Sequence, residues 1–381
     1  MSYGLRRLAT TTAGALAVAL SVGSASPAVA QIDPSSLGEE GMETALEVIG
    51  SLPVGSTAEL IGSVGSADFP LDSGSTTPLY GEPRPPKDVS QVAVIDTWEA
   101  EGYDYWLVDS VAMQREVVVE VMKSKSNEPA PVLYLLDGVD SPEGHSGWRS
   151  MADVDARPIA NDNVHVVSPT GAYASYWTDW QSDDPLLGNY KWETFLTDEL
   201  PGIVADQLEV TGKNAVGGIS MGGQAAMHLA ATYDMYDAVM SFSGNYSTMD
   251  QLGYQTLRLT IETRGADVNN MWGPHGSEQW RKNDTISHVD GLDGKGVFFS
   301  AGSGVLGPED LAVYGADVQS LAVGMLLERG VLEGTTAFEQ ALNRADVEHE
   351  VVYTPTGAHN WVNFMNNFDA GWNYIKGDLG L

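Results

Sequence analysis

Lys213-Asn214-Ala215-Val216-Gly217-Gly218-Ile219-Ser220-Met221-Gly222-Gly223-Gln224-Ala225-Ala226-Met227-His228-Leu229-Ala230-Ala231 is the stretch that decides the fold. Lys213–Gly217 reads as a short strand, and Gln224–Ala231 reads as a helix of mostly small and apolar residues. Between them stands Gly218-Ile219-Ser220-Met221-Gly222, the only G-x-S-x-G of the chain. At a strand-to-helix turn, this motif lifts the serine oxygen above a sheet, and small neighbours let the backbone bend sharply. The following N–H, that of Met221, then points at whatever the serine attacks. Alone the motif is weak, because the chain contains 42 glycines. It gains meaning only if the partners of a nucleophilic serine follow.

On either side of this turn, strands alternate with helices. Trp106–Val111 and Glu116–Met122 read as an antiparallel strand pair. Val132–Leu136 is a continuous apolar run, as expected of a strand covered on both faces. His165–Ser168 is another short strand, and a helix follows over Trp192–Leu208 with Pro201 kinking or dividing it. Ala238–Phe242, Val297–Ser300 and Glu350–Tyr353 supply three more strands, with helices expected over Asp310–Arg329 and Thr335–Arg344. Alternating βα units with a serine at such a turn predict one α/β domain of the α/β-hydrolase type, its sheet mostly parallel.

The two ends of the chain differ in character. Arg6 and Arg7 precede an apolar stretch, Leu8–Val22, and Ala28-Val29-Ala30 is a small-x-small cleavage site. Residues 1–30 therefore read as an export signal, and the mature protein is expected to start at Gln31 and to be secreted. The apolar stretch is short for a membrane anchor, and the arginine pair fits a twin-arginine signal poorly. No later apolar run approaches the ~18 residues of a membrane span. Residues 31–88 are rich in Gly, Ser, Pro and acids, with one amphipathic helix near Met42–Ile49, and read as an irregular extension. Residues 89–381 are expected to form the α/β-hydrolase-type domain.

The formal net charge is −33. It argues against nucleic-acid binding and against electrostatic docking on anionic headgroups. There is no cysteine, so disulfides and thiol chemistry are excluded. A 43% hydrophobic composition is ample for a core that must stabilise itself. No cofactor is implied. No metal site is expected either, since there is no H-E-x-x-H and no histidine pair at ligand spacing.

A serine hydroxyl becomes a nucleophile when an imidazole takes its proton and a carboxylate orients that imidazole. In this fold the order along the chain is Ser, acid, His. His145 and His165 precede Ser220, and His228 lies inside the following helix. Of His275, His288, His349 and His359, the last is best placed, in a turn directly after the final strand. Topology leaves the acid open among Asp290, Asp293, Asp310, Glu328 and Glu333. The oxyanion hole needs two backbone N–H groups. Met221 supplies one, and Val139, in the loop leaving the central strand Val132–Leu136, is expected to supply the other.

Six ordered segments carry a resemblance. They are Leu135-Leu136-Asp137-Gly138 with Gly147-Trp148; Thr178-Asp179-Trp180; and Lys191-Trp192-Glu193-Thr194-Phe195-Leu196-Thr197. Gly218–Gly222, Met271-Trp272-Gly273-Pro274 and Gly357-Ala358-His359-Asn360-Trp361 complete the set. From about residue 89 to 381 the chain resembles the antigen 85 family of secreted mycolyltransferases, and its extension at 31–90 resembles additions found in the corynebacterial branch of that family. The resemblance implies Glu328 as the catalytic acid, anchored downstream by Thr336-Ala337-Phe338, and Val139 and Met221 as oxyanion donors. It also implies a trehalose site at Asp137 and Trp361. The family's sugar-contacting arginine is replaced by Asp140, reversing the charge there, and a family cysteine is replaced by Ala301. Trp148, Trp180, Tyr176 and Trp177 are further aromatic candidates for shaping the pocket. The expected partners are trehalose mycolates and cell-wall glycan acceptors. Two other readings share the scaffold: a secreted carboxylesterase and a non-catalytic carbohydrate- or matrix-binding surface protein.

Overall fold

The computed structural model describes residues 86–315 and 318–381. The expected export signal, the amphipathic helix near Met42–Ile49 and nearly all of the extension lie outside the described residues. One sheet of nine strands organises the remainder, in the order β1-β2-β3-β5-β4-β6-β7-β8-β9. The strands are β1 Ala93–Ala100, β2 Tyr103–Ser110, β3 Arg115–Met122, β4 Ala130–Leu136, β5 His165–Pro169, β6 Val210–Ile219, β7 Ala238–Phe242, β8 Gly296–Ala301 and β9 Glu350–Tyr353. Strands β1, β2, β3 and β5 pair antiparallel, and every pair from β5 through β4 to β9 is parallel. This is the expected α/β-hydrolase arrangement.

Two apolar layers enclose the sheet. Val132, Tyr134 and Leu136 join one, whereas Leu133 and Leu135 join the other. The unbroken apolar run of β4 thus arises from burial on both faces, each receiving alternate side chains. Strand β1 had no clear sequence signature, since most of its residues are exposed at the sheet edge. Its hairpin to β2 turns through Glu101 and Gly102, both at positive φ, as a tight two-residue turn requires.

The main helices are α1 Leu200–Gln207, α2 Met221–Thr232, α3 Gln251–Glu262, α4 Pro308–Tyr314, α5 Val318–Ala345, α6 Trp361–Met365 and α7 Phe368–Ile375. Before α1, the chain forms a wide π turn over Phe195–Glu199, leaving Pro201 in the first turn of α1. The expected division at Pro201 takes this form because proline has no N–H and crowds the carbonyl four residues earlier. At the other end, the expected break between Arg329 and Thr335 is absent. Helix α5 runs unbroken for 28 residues, and the interruption falls earlier, at Gly315. Packing overrides the low helix propensity of glycine here. A Cβ on Gly324 would lie 2.5 Å from the Tyr314 hydroxyl, and one on Gly334 would lie 2.5 Å from the Asn245 amide oxygen.

Register positions the site. Leu136 of β4 pairs with Gly218 of β6, so the loops leaving these strands emerge side by side. Helix α2 is buried along its length except at Thr232 and presses against β4. A Cβ on Gly222 would stand 2.2 Å from the Leu136 carbonyl oxygen, and one on Gly218 would stand 2.1 Å from the Gly222 oxygen. Small residues on both sides of Ser220 are therefore a steric requirement of the turn.

Candidate active site

Ser220 sits between β6 and α2 with φ 51° and ψ −119°, a conformation that side chains rarely adopt. Such backbone strain costs about 1–3 kcal/mol and persists only where the surroundings impose it. Here the Ser220 N–H is donated to the Phe242 carbonyl at 2.8 Å, and the Ser220 carbonyl accepts the Gln224 N–H at 3.0 Å. The serine is thus pinned from both sides, with its side chain facing a cleft.

His359 Nε2 lies 2.8 Å from Ser220 Oγ, and His359 Nδ1 lies 2.7 Å from Glu328 Oε2. A carboxylate only accepts, so Nδ1 carries the ring proton, and Nε2 is left to accept from the serine hydroxyl. Glu328 is completely buried. Its other oxygen accepts from Ser243 Oγ at 2.7 Å, the Gly302 N–H at 2.6 Å and Asn363 Nδ2 at 3.0 Å. A buried carboxylate needs this degree of satisfaction to remain charged.

The turn carrying His359 is held as firmly. Its N–H is donated to the Gly324 carbonyl at 3.0 Å, and its carbonyl accepts from the Tyr314 hydroxyl at 3.1 Å. Asp310 accepts the Ala358 N–H at 3.0 Å and Asn360 Nδ2 at 2.8 Å, fixing the residues on either side. Asn360 in turn caps α6 by accepting the Asn363 N–H at 3.1 Å.

Topology left five acids open, and the geometry separates them. Glu328 alone of the five is hydrogen-bonded to the His359 ring. Asp310 binds the histidine turn instead, and Asp290 and Asp293 are exposed. The remaining histidines sit in other settings. His275 stacks on Tyr254, His288 lies against the Arg281 carbonyl and His349 against the Val347 carbonyl.

Val139 and Met221 line the same cleft as Ser220 and His359. Met221 opens α2, where first-turn N–H groups have no intrahelical acceptor. The Val139 loop is fixed by two bonds. The Ala174 N–H is donated to the Val139 carbonyl at 2.8 Å, and Trp177 Nε1–H to the Asp137 carbonyl at 2.9 Å. The facing loop after β5 holds Ala174, Tyr176 and Trp177 at positive φ, a concentration of strain beside the serine.

The residues expected to contact a sugar are distributed unevenly. Trp361 is partly buried at the rim, against Gly147, where a Cβ would approach its ring to 2.4 Å. Asp140 is partly exposed and lies 3.8 Å from the Arg264 guanidinium. Asp137, by contrast, is buried, and both its oxygens accept the Gly147 N–H at 3.0 and 3.1 Å. Trp148 is a core residue among Trp361, Phe242 and Phe368, and Trp180 is buried against Tyr190 with its N–H donated to the Ser175 carbonyl. Asp137, Trp148 and Trp180 are therefore buried side chains, and none of them lines the cleft beside Ser220. Their burial follows from apolar packing and from the Gly147 N–H that occupies the carboxylate.

Sequence reading missed Ser243, Gly302 and Asn363 around Glu328, Tyr314 around His359 and Arg264 opposite Asp140, and it raised Asp310 only as a candidate acid. Each acts through residues distant in the chain, so no local pattern marks it. The one available signal was Asn360 directly before a helical pattern, where asparagine is a favoured cap.

A serine at a strained strand-to-helix turn, bonded to an imidazole that a buried carboxylate orients, defines a site of the serine esterase type. The sequence matches the family described as "Putative esterase" over residues 110–375. It is 31% identical over 298 residues to the diacylglycerol acyltransferase/mycolyltransferase Ag85A of Mycobacterium gordonae, covering 72% of this chain and 79% of that protein. It is 30% identical over 292 residues to the Ag85B protein of Mycobacterium avium, covering 73% and 83%. Among solved structures, Mycobacterium tuberculosis MPT51 (FbpC1) superposes with a TM-score of 0.62 at 23% identity, over 74% of this chain and all of that one. An S-formylglutathione hydrolase from Agrobacterium tumefaciens superposes with a TM-score of 0.56 at 17% identity, over 75% and 99%, a likeness of fold. The chain belongs to this esterase family and, within it, to the antigen 85 acyltransferases.

Two outcomes follow from the site. Glu328→Gln keeps the side chain's shape but not its charge, and turnover of an activated ester is expected to fall by roughly 10³–10⁴-fold. Thermal melting checks that the variant is folded, and wild-type turnover in a folded variant would contradict the orienting role. The second concerns Asp137, whose carboxyl is pushed up from 3.8 to about 7 chiefly by burial, against the opposing Gly147 hydrogen bond. The folded state then binds the proton more tightly than the unfolded one. The associated stability is present in full below pH ~4 and is lost as pH rises through ~7, a cost on the order of 4 kcal/mol. Asp137→Asn is expected to raise the melting temperature at pH 8 and leave it nearly unchanged near pH 4. An equal effect at both pH values would contradict the assignment.

Proposed function

We propose that this chain is a secreted mycolyltransferase working through a Ser220 acyl-enzyme. It would take a mycolyl group from trehalose monomycolate and pass it to a second trehalose monomycolate or to a cell-wall glycan. The observation that carries this reading is the hydrogen-bonded series Ser220–His359–Glu328, in a chain whose curated relatives are named as acyltransferases.

The geometry supports the following roles. His359 Nε2 takes the proton of Ser220 as its oxygen attacks the ester carbonyl. The N–H groups of Val139 and Met221 receive the developing oxyanion, each contributing about 3 kcal/mol in comparable enzymes. The tetrahedral species collapses, and His359 returns the proton to the departing trehalose oxygen. His359 then takes a proton from the acceptor sugar hydroxyl, which attacks the acyl-serine and releases Ser220. Trp361 and Asp140, which have exposed surface at the rim, are the residues we assign to the sugar side. Asp137 acts by fixing Gly147 beneath Trp361.

Residues 1–30 are assigned as the export signal, 31–88 as an extension and 89–381 as the catalytic domain, operating outside the cell at the envelope. Among the described residues, no helix is long and apolar enough to cross a membrane.

Incubation of the mature protein with labelled trehalose monomycolate tests the reading. Mass analysis is expected to find free trehalose and trehalose dimycolate in equal amounts, and neither with Ser220→Ala. Release of free mycolic acid alone would instead identify an esterase that uses water.

A further inference from the structure

The chain has no cysteine, so its only sulfur atoms are those of 13 methionines. One of them belongs to the active site. Met221 opens α2 directly after Ser220, is 3% exposed and lines the cleft of about 60 Å³ beside the serine. Among the described residues, no other methionine lines that cleft.

The sulfur is also a tie point. Met221 Sδ accepts the Tyr176 N–H at 3.1 Å. Tyr176 belongs to the loop after β5 that holds Ala174, Tyr176 and Trp177 at φ between 51° and 53°. The same loop donates the Ala174 N–H to the Val139 carbonyl at 2.8 Å. One strained loop therefore touches both residues assigned to the oxyanion hole, Met221 through its sulfur and Val139 through its carbonyl. Backbone strain of this kind persists only while the surrounding contacts impose it.

A thioether sulfur is a weak acceptor, and one hydrogen bond leaves it a second lone pair. The cleft has room for about four waters, enough to admit hydrogen peroxide. We propose that Met221 is an oxidation site through which peroxides switch the enzyme off. The sulfur lone pair attacks one peroxide oxygen, and the S–O bond forms as the O–O bond breaks. The sulfur-bound OH then gives its proton to the departing hydroxide, which leaves as water. Sulfur loses two electrons, the peroxide gains them, and two-electron reduction of the sulfoxide reverses the change.

The product is polar where the thioether was apolar, and its oxygen needs a place. Directed at Tyr176, it opens the N–H···S contact and releases the loop behind Val139. Directed into the cleft, it sets a hydrogen-bond acceptor beside the forming oxyanion. Ser220, His359 and Glu328 keep their own chemistry in both cases. The inference rests on the oxyanion roles proposed for Val139 and Met221 and adds redox control to them.

The test treats the protein with hydrogen peroxide over a time course. It follows kcat and KM for p-nitrophenyl butyrate together with tandem mass spectrometry of each methionine. Met151, 61% exposed, is the internal reference. Turnover is expected to hold while Met151 gains oxygen. As Met221 gains one, kcat is expected to fall by roughly 10- to 100-fold, with KM within about threefold. Loss of a whole oxyanion donor, roughly 10²–10³-fold, sets the upper bound. Met221→Leu, measured against its own untreated rate, is expected to keep that rate under peroxide. Full turnover with Met221 oxidised, or lost turnover with Met221 intact, would overturn the site. So would inactivation of Met221→Leu as fast as the wild type. In these cases phosphonate labelling of Ser220 in the untreated protein leaves the serine-enzyme reading standing. An untreated protein that neither turns over the ester nor takes the label removes both together.

Discussion

A single carboxylate, that of Glu328, sets the terms for the rest of the molecule. It is wholly inside the protein, where an ion unsupported by partners would be driven to take up a proton. Four donors surround it: Ser243 after β7, Gly302 after β8, Asn363 on α6 and the His359 imidazole after β9. Three consecutive loops at one end of the sheet must therefore converge on one point of α5. Removing any one of them leaves a buried charge short of a partner, which is why the site exists only in the folded chain. The long, glycine-tolerant course of α5 follows from the same demand, since it must pass close to Tyr314 and Asn245 while presenting Glu328 inward.

The sheet order does the complementary work on the nucleophile. Placing β4 beside β6 brings the Asp137–Asp140 loop against Ser220, although eighty residues separate them in sequence. Glycine at 218 and 222 permits the approach. Beyond this centre, Asp140 on the same loop stands 3.8 Å from the guanidinium of Arg264, from the segment after α3.

Much of this was legible beforehand. The buried strands announced themselves as apolar runs, and the strand–Gly-x-Ser-x-Gly–helix sequence gave the fold class. His359 followed from chain order together with its turn directly after the last strand, which set it apart from His275, His288 and His349. The acid did not, because five carboxylates satisfy the same order; the resemblance pointed to Glu328, and its hydrogen bond to the His359 ring is what separates it from the other four. Strand β1 escaped notice because an exposed edge strand needs no apolar alternation. The length of α5 escaped notice because its glycines, read locally as breakers, are close-contact positions. Trp148 and Trp180 illustrate the reverse error: tryptophan beside a functional motif suggested a pocket, yet both rings are core. Sequence records which residues are present near a motif, whereas burial decides which of them substrate can reach.

The most direct trial of the account is to trap the covalent intermediate. The protein would be mixed with an ester substrate, quenched in acid within the first turnover, digested and read by mass spectrometry. The account predicts one added acyl mass on the peptide containing Ser220, and none when His359 is replaced by alanine. Rapid ester turnover with that peptide unmodified, or with the acyl group on another residue, would contradict it.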